Sequence, residues 1–148
     1  MAARGPAVTE ATLGAWLVKA SPAGLAVDHL VRHGFASVTS RCVRPSYRTD
    51  LVRAGQPVLL WISGSDARLP AGLHAAGHTR GPVQTGEELS MPVSLRAIDP
   101  PVTREEIRAH PGLASIEVLR MPAGSNPSYL DVEQYGALVG AFPQIAVD

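Results

Sequence analysis

Residues 57–64 read PVLLWISG, and from Val58 to Ile62 the chain is apolar without a break. A strand with one wet face alternates apolar and polar residues, so an unbroken run points to a strand covered on both faces. This places 57–64 at the centre of the fold. The next segment, AGLHAAGHTRGPV, has strand character but is interrupted by Gly72 and Gly77. Glycine inside a strand marks a bulge, a barrel bend or a close backbone approach. MPVSLRAID then alternates Val93, Leu95 and Ala97 against Ser94 and Arg96, which buries one face. The polar loop TGEELS before it is expected to be exposed.

Upstream, LGAWLVKA (13–20) has the compact apolar and aromatic character of a first strand and stops at Ser21-Pro22. AVDHLVRHG reads as a short helix with Asp28 in its first turn, Leu30 and Val31 facing inward and Gly34 as its left-handed stop. FASVTSRCV returns to strand-type residues, with Val38 and Val43 inward, and YRTDLVRAGQ reads as irregular or a single turn. Residues 1–12 are small and polar and are expected to fray.

Downstream, Thr103-Arg104-Glu105-Glu106 has the spacing of a capping box and starts a helix that ends at Pro111-Gly112. SIEVLRM is expected to be a last strand and AGSNPSYL a turn. In DVEQYGALVGAF, Asp131 caps, Gln134 occupies the return position, and Val132, Tyr135, Leu138, Val139 and Phe142 form a helical stripe. The 148 residues, 45% of them apolar, suffice for one domain with one sizeable core. The expected class is α+β: a small, curved, mostly antiparallel barrel of five or six strands with about three helices outside it.

Formal net charge is zero, and of the 13 basic residues only Lys19 is lysine. Such a chain lacks the field that drives tight, sequence-independent nucleic-acid binding. Cys42 is the single cysteine and cannot form an internal disulfide. No stretch reaches the roughly 18 apolar residues of a membrane span, and no signal-peptide run opens the chain, which together imply a cytoplasmic protein. His74 and His78, four apart in a strand, lie roughly 13 Å apart, too far to share a metal. Glu87-Glu88 and Glu105-Glu106 read as solvated charges, and GSDARLPAG lacks the Gly-Lys-Ser/Thr ending of a phosphate loop. No catalytic constellation, metal site or cofactor is expected. Trp16, Trp61, Tyr47, Tyr129 and Tyr135 read either as core or as a stacking wall for a flat ligand.

The ordered set AWLVKASP, VRPSYR, AGQPVLLWISG, GLHAAGH, PPVTREEI and GSNPSYLDVEQYGALV resembles the EVE domain family of the PUA-like superfamily, over roughly residues 13–143. The resemblance implies a curved PUA-like β-barrel with flanking helices and a pocket on one side, related to the YTH readers of methylated adenine. It also implies recognition of a modified base, a cytosine or adenine derivative in DNA or RNA. Carried over by position, Lys19 and Ser21 would stand at the pocket rim and Ser63 in its wall, while the GSNP turn would present Ser125 and Asn126. A Trp that family members often carry before VRPSYR is replaced here by Arg41 or a neighbour, and an aromatic expected within GLHAAG appears as His74. Both can stack through flat π-systems. For Asn126 two roles stay open, reading a base edge or stabilising its own turn. Two other functions are weighed beside base recognition: a protein-interaction module with a vestigial pocket, and an ASCH-like hydrolase of modified cytidine. The GxKxxExR pattern of the latter is missing.

Overall fold

The structure is a computed structural model that describes residues 7–22, 27–64 and 66–146. Six strands, β1 (Leu13–Ala20), β2 (Ser40–Cys42), β3 (Pro57–Ile62), β4 (Gly72–Thr79), β5 (Ser90–Thr103) and β6 (Ser128–Asp131), form one sheet in the order β2-β5-β4-β3-β1-β6. Four of its five pairings are antiparallel, and β1 with β3 is parallel. The helices are α1 (Val27–His33), α2 (Arg104–Ala109), α3 (Glu117–Arg120) and α4 (Val132–Ala141), with single 3₁₀ turns at Phe35–Ser37, Thr49–Leu51 and Pro143–Ile145. The sheet curls like part of a barrel until its two ends touch: just past β2, the Arg44 N–H donates to the Asn126 carbonyl, 2.9 Å away, just before β6.

The apolar run of β3 is covered on both faces, as its sequence requires. Val58, Leu60 and Ile62 join Trp16, Val18, Ala20, Met91 and Val93 on the concave side. Leu59 and Trp61 join Leu17, Ile107, Ile116 and Leu138 on the convex side, under the helices. Each such side chain contributes about 1.5–3 kcal/mol by leaving water, so β3, set between β1 and β4, anchors both layers. Trp16 is fully buried and its Nε1–H donates to Gln56 Oε1 at 2.8 Å, which meets its one polar requirement.

β3 and β4 are neighbours, with Leu60 opposite Ala75. A side chain at Gly77 would run into the Ser94 carbonyl, so the second glycine of β4 permits the close approach of β5. Gly72 meets the same demand at the start of β4, where a side chain would run into the Val102 carbonyl of β5 and the φ of +148° favours glycine; a bulge follows it. Leu73 pairs with Val102 and Ala75 with Ala97, so residues 98–101 of β5 bulge opposite His74 alone. Across that bulge β5 passes from the concave layer (Met91, Val93, Leu95) to the convex one (Ile98, Val102). Ala97, expected inward, is therefore exposed, and Ile98 is buried in its place.

Local start and stop signals behave as their chemistry predicts. Both capping boxes form, Thr103 with Glu106 and Asp131 with Gln134, and Gly34 ends α1 at φ +72°. Ala26, included in the expected first helix, lies outside the described residues. Several expectations need correction. SIEVLRM is not a strand: Glu117–Arg120 is one turn of helix, closed by the Met121 N–H donating to the Glu117 carbonyl. The strand there is Ser128–Asp131, inside the stretch read as a turn, paired antiparallel to β1. Only Ser40–Cys42 of FASVTSRCV is extended in the sheet, although Val38 and Val43 do reach the concave core. Val31 and Val132 are exposed, because the contact faces of α1 and α4 are narrower than the apolar stripes suggest. Residues 1–6 lie outside the described set; Val8 is buried and its N–H donates to the Tyr47 hydroxyl, and Thr9–Leu13 closes a hydrogen-bonded turn.

Candidate ligand-binding mouth

Parallel pairing sends β1 and β3 out of the sheet at the same end, with Lys19 opposite Trp61 and Ala20 opposite Ile62. The Ser63 N–H continues that ladder by donating to the Ala20 carbonyl at 3.0 Å, and its hydroxyl reaches the same oxygen at 3.3 Å. Ser21 and Ser63 are thereby neighbours on an exposed rim.

The Asn-Pro turn meets this rim by register. β6 pairs Ser128 with Leu17, so Asn126 falls opposite Lys19. Proline has no N–H to give the ladder, and the Asn126 side chain makes the pair instead. Its Oδ1 accepts from the Lys19 N–H at 2.8 Å, and its Nδ2 donates to the Lys19 carbonyl at 3.0 Å and to the Cys42 carbonyl at 3.4 Å. Asn126 thus clips three segments together: the end of β1, the end of β2 and the turn before β6. Its carboxamide is spent within the protein, so its part in any ligand contact is to hold the rim in shape. Asn126→Ala is expected to lower stability by about 1–3 kcal/mol, since several modest bonds go and the Lys19 amide loses its acceptor. Asn126→Asp keeps the acceptor for the Lys19 N–H but turns a carboxylate oxygen toward the Lys19 and Cys42 carbonyls, so it should cost at least as much; urea unfolding of the two variants checks the order.

The structure therefore brings Lys19, Ser21, Ser63, Ser125 and Asn126 to one end of the sheet, and Arg41 adjoins them through the Cys42 carbonyl. Arg41 stands opposite Met91 in an antiparallel pair, so both side chains take the concave face. His74 lies near the same end but not on the rim. It is 3% exposed, its Nε2 is 2.6 Å from the Pro70 carbonyl, and its ring is 6.2 Å from that of Phe35. A carbonyl can only accept, so Nε2 carries the proton. Burial lowers the His74 pKa, partly opposed by that carbonyl, and favours the neutral ring. Phe35, an aromatic that the sequence reading placed in a strand, supplies a flat face beside it.

A second group was not anticipated from sequence. The Arg48 guanidinium binds Glu117 through two bonds, of 2.6 and 2.8 Å, donates to the Pro127 carbonyl at 3.0 Å and lies 4.8 Å from the Tyr129 ring centre. The Ser128 hydroxyl adds a bond to Glu117 at 2.8 Å. Burial works to raise the Glu117 pKa, but the bonds from Arg48 and Ser128 and the nearby positive charges outweigh it, and the net shift is downward. Lys19 shares a small recess of about 120 Å³ with this pair, and its ammonium donates to the Met121 carbonyl at 3.3 Å. Burial lowers the Lys19 pKa, with Glu117 pulling the other way. The one signal in the sequence was a lone acid between Ile116 and Val118; a charge within an apolar stretch asks for a partner.

Outside the rim, a cleft of about 660 Å³ opens between residues 42–45, the 85–89 loop and Ser125-Asn126. Cys42 faces it, and its thiol donates to Glu88 at 3.1 Å, which, with some burial, raises the thiol pKa and keeps it protonated. Among the described residues no three His, Cys, Asp or Glu side chains gather as metal ligands, and no helix is long and apolar enough to cross a membrane.

No family model matches the chain, and no curated protein matches it. Two solved structures are similar in fold. The NMR structure of Rpa0253 from Rhodopseudomonas palustris is 14% identical with a TM-score of 0.65, covering 91% of this chain and 97% of that one. A crystal structure of a Pseudomonas putida protein is 12% identical with a TM-score of 0.63, covering 85% and 97%. Both come from structural genomics, and the likeness extends nearly end to end.

Proposed function

We propose that the protein is a PUA-like, EVE-type cytoplasmic module that binds a modified nucleobase of DNA or RNA at the mouth formed by the ends of β1 and β3, without turning it over. The observation that carries this reading is the convergence of sequence-distant segments on one end of the sheet: Lys19 to Ser21, Arg41, Ser63 and the Ser125-Asn126 turn. These are the positions at which the resemblance to EVE domains locates a pocket. Chemically, the rim offers the Ser63 hydroxyl, which can still accept, to a base edge, and the concave side offers Arg41 and Phe35 as flat partners. Extracting a base from its stack costs a few kcal/mol, which stacking at about 1–3 kcal/mol and hydrogen bonds offset. With zero net charge the phosphate contribution is small, so binding by the lone domain is weak and only mildly salt-dependent.

Fluorescence anisotropy with labelled single-stranded DNA and RNA tests the reading. Each oligonucleotide carries one cytosine or adenine, unmodified or modified. The expected result is at least about tenfold discrimination, or 1.4 kcal/mol, in favour of one modified base. Ser63→Ala should reduce that preference without unfolding the chain. Equal affinity for every oligonucleotide would instead support a protein-interaction module.

A further inference from the structure

We infer that Arg41 sets the class of base this pocket accepts: one whose modification carries a hydrogen-bond acceptor, a carbonyl or carboxylate oxygen, in preference to one modified by alkyl groups alone. The inference rests on the base-binding reading above. Its ground is an unmet requirement inside the concave layer. Arg41 faces that layer between two of its members, opposite Met91 and two residues before Val43. Its Nε is buried, and among the described residues it has no hydrogen-bond partner. Buried polar atoms are almost always paired, and this Nε is an exception within a side chain that is otherwise half-buried. Burial also lowers the Arg41 pKa. Among the described residues no carboxylate forms an ion pair with Arg41, and Glu117 is bound by Arg48.

A methyl group placed there leaves the donor as it was. A carboxylate can accept from Nε and a terminal nitrogen together, in the side-on geometry that guanidinium favours, and a neutral carbonyl can accept one such bond. An aromatic residue at this position would stack on any base, whereas Arg41 adds a demand for an acceptor.

The test uses the full chain and four single-stranded DNA oligonucleotides that differ only in one cytosine: unmodified, 5-methyl, 5-formyl or 5-carboxyl. Anisotropy at fixed salt should rank carboxyl first, by about tenfold over methyl, with formyl between them. Arg41→Met should bring the carboxyl oligonucleotide to the methyl level, and Arg41→Lys should keep part of the preference, because charge remains while the two-bond geometry is lost. A separate readout needs no ligand: Arg41→Met should unfold at a temperature equal to or above that of the parent, since it removes a buried donor without a partner. If methyl binds as well as carboxyl, or if the preference survives Arg41→Met, the inference is wrong while base reading stands. If none of the four, and none of the modified adenines, is distinguished from its unmodified parent, base reading itself fails and takes the inference with it.

Discussion

Replacing Arg48 by Met lowers the unfolding free energy by about 3 kcal/mol, toward the low end of the range for breaking a buried ion pair. The figure is set low because 21% of the Arg48 side chain and 15% of the Glu117 side chain remain open to solvent. Most of the loss comes from Glu117, which keeps its charge and most of its burial but retains, among the described residues, only the Ser128 hydroxyl as a hydrogen-bond partner. The bond to the Pro127 carbonyl and the contact with the Tyr129 ring go as well. Substituting both partners, Arg48→Met with Glu117→Leu, should recover much of the loss, because an apolar pair carries no desolvation penalty. Urea unfolding of the four members of this cycle at pH 7 measures the coupling; a double variant no better than Arg48→Met alone would show that the pair acts through packing.

The pH dependence follows with a definite sign. The Glu117 pKa is depressed in the folded chain below the ordinary 4.5, so the unfolded state binds the proton first on acidification. Its contribution to stability is fully present above pH 4.5 and disappears as pH falls through the lower, folded value. The difference between parent and Glu117→Gln should therefore be constant near neutrality and shrink in that acidic window.

Leu138→Ala lowers stability by about 2–5 kcal/mol, the cost of a lost buried side chain plus the cavity it leaves. Leu138 is fully buried on the inner face of α4, in the same cluster as Ala15, Leu17 and Leu130 of the strands beneath. Asp131 links this helix to the mouth: it ends β6 and also caps α4, accepting from the Gln134 N–H at 2.8 Å. Loosening α4 should thus loosen the Asn126 clip, and amide hydrogen exchange at Lys19 should accelerate in Leu138→Ala. Protection at Lys19 equal to that of the parent would separate the two elements.

Much of this architecture could be read before any coordinates because its signals are local. β1 begins and ends where LGAWLVKA does, the unbroken run of β3 is buried on both sides, and both capping boxes are complete within four residues. What was misread depends on partners far along the chain. Ile116 and Val118 alternate around Glu117 as in a strand, but Glu117 is fixed by Arg48, 69 residues away, and one turn of helix meets that demand. β6 has only four residues, and nothing in SYLD distinguishes it from a turn until β1 is available to pair with it. The burial of Ala97 failed for a similar reason: the alternation continues in the sequence while the bulge moves β5 to the other layer. At the mouth, residue types could be named from the resemblance, yet the use of Asn126 could not. Whether its carboxamide faces a ligand or pairs with Lys19 is decided by the β1–β6 register, which a single sequence does not state.

The most direct test of the account is an NMR titration of uniformly ¹⁵N-labelled protein with a single-stranded oligonucleotide carrying the modified base preferred in the anisotropy panel. The account predicts saturable shift changes centred on the amides of Lys19, Ser21, Arg41 to Val43, Ser63 and Ser125-Asn126, with the unmodified oligonucleotide producing much smaller ones. Saturable changes centred instead on the outer faces of α2 and α4, or equal changes for both oligonucleotides, would contradict it.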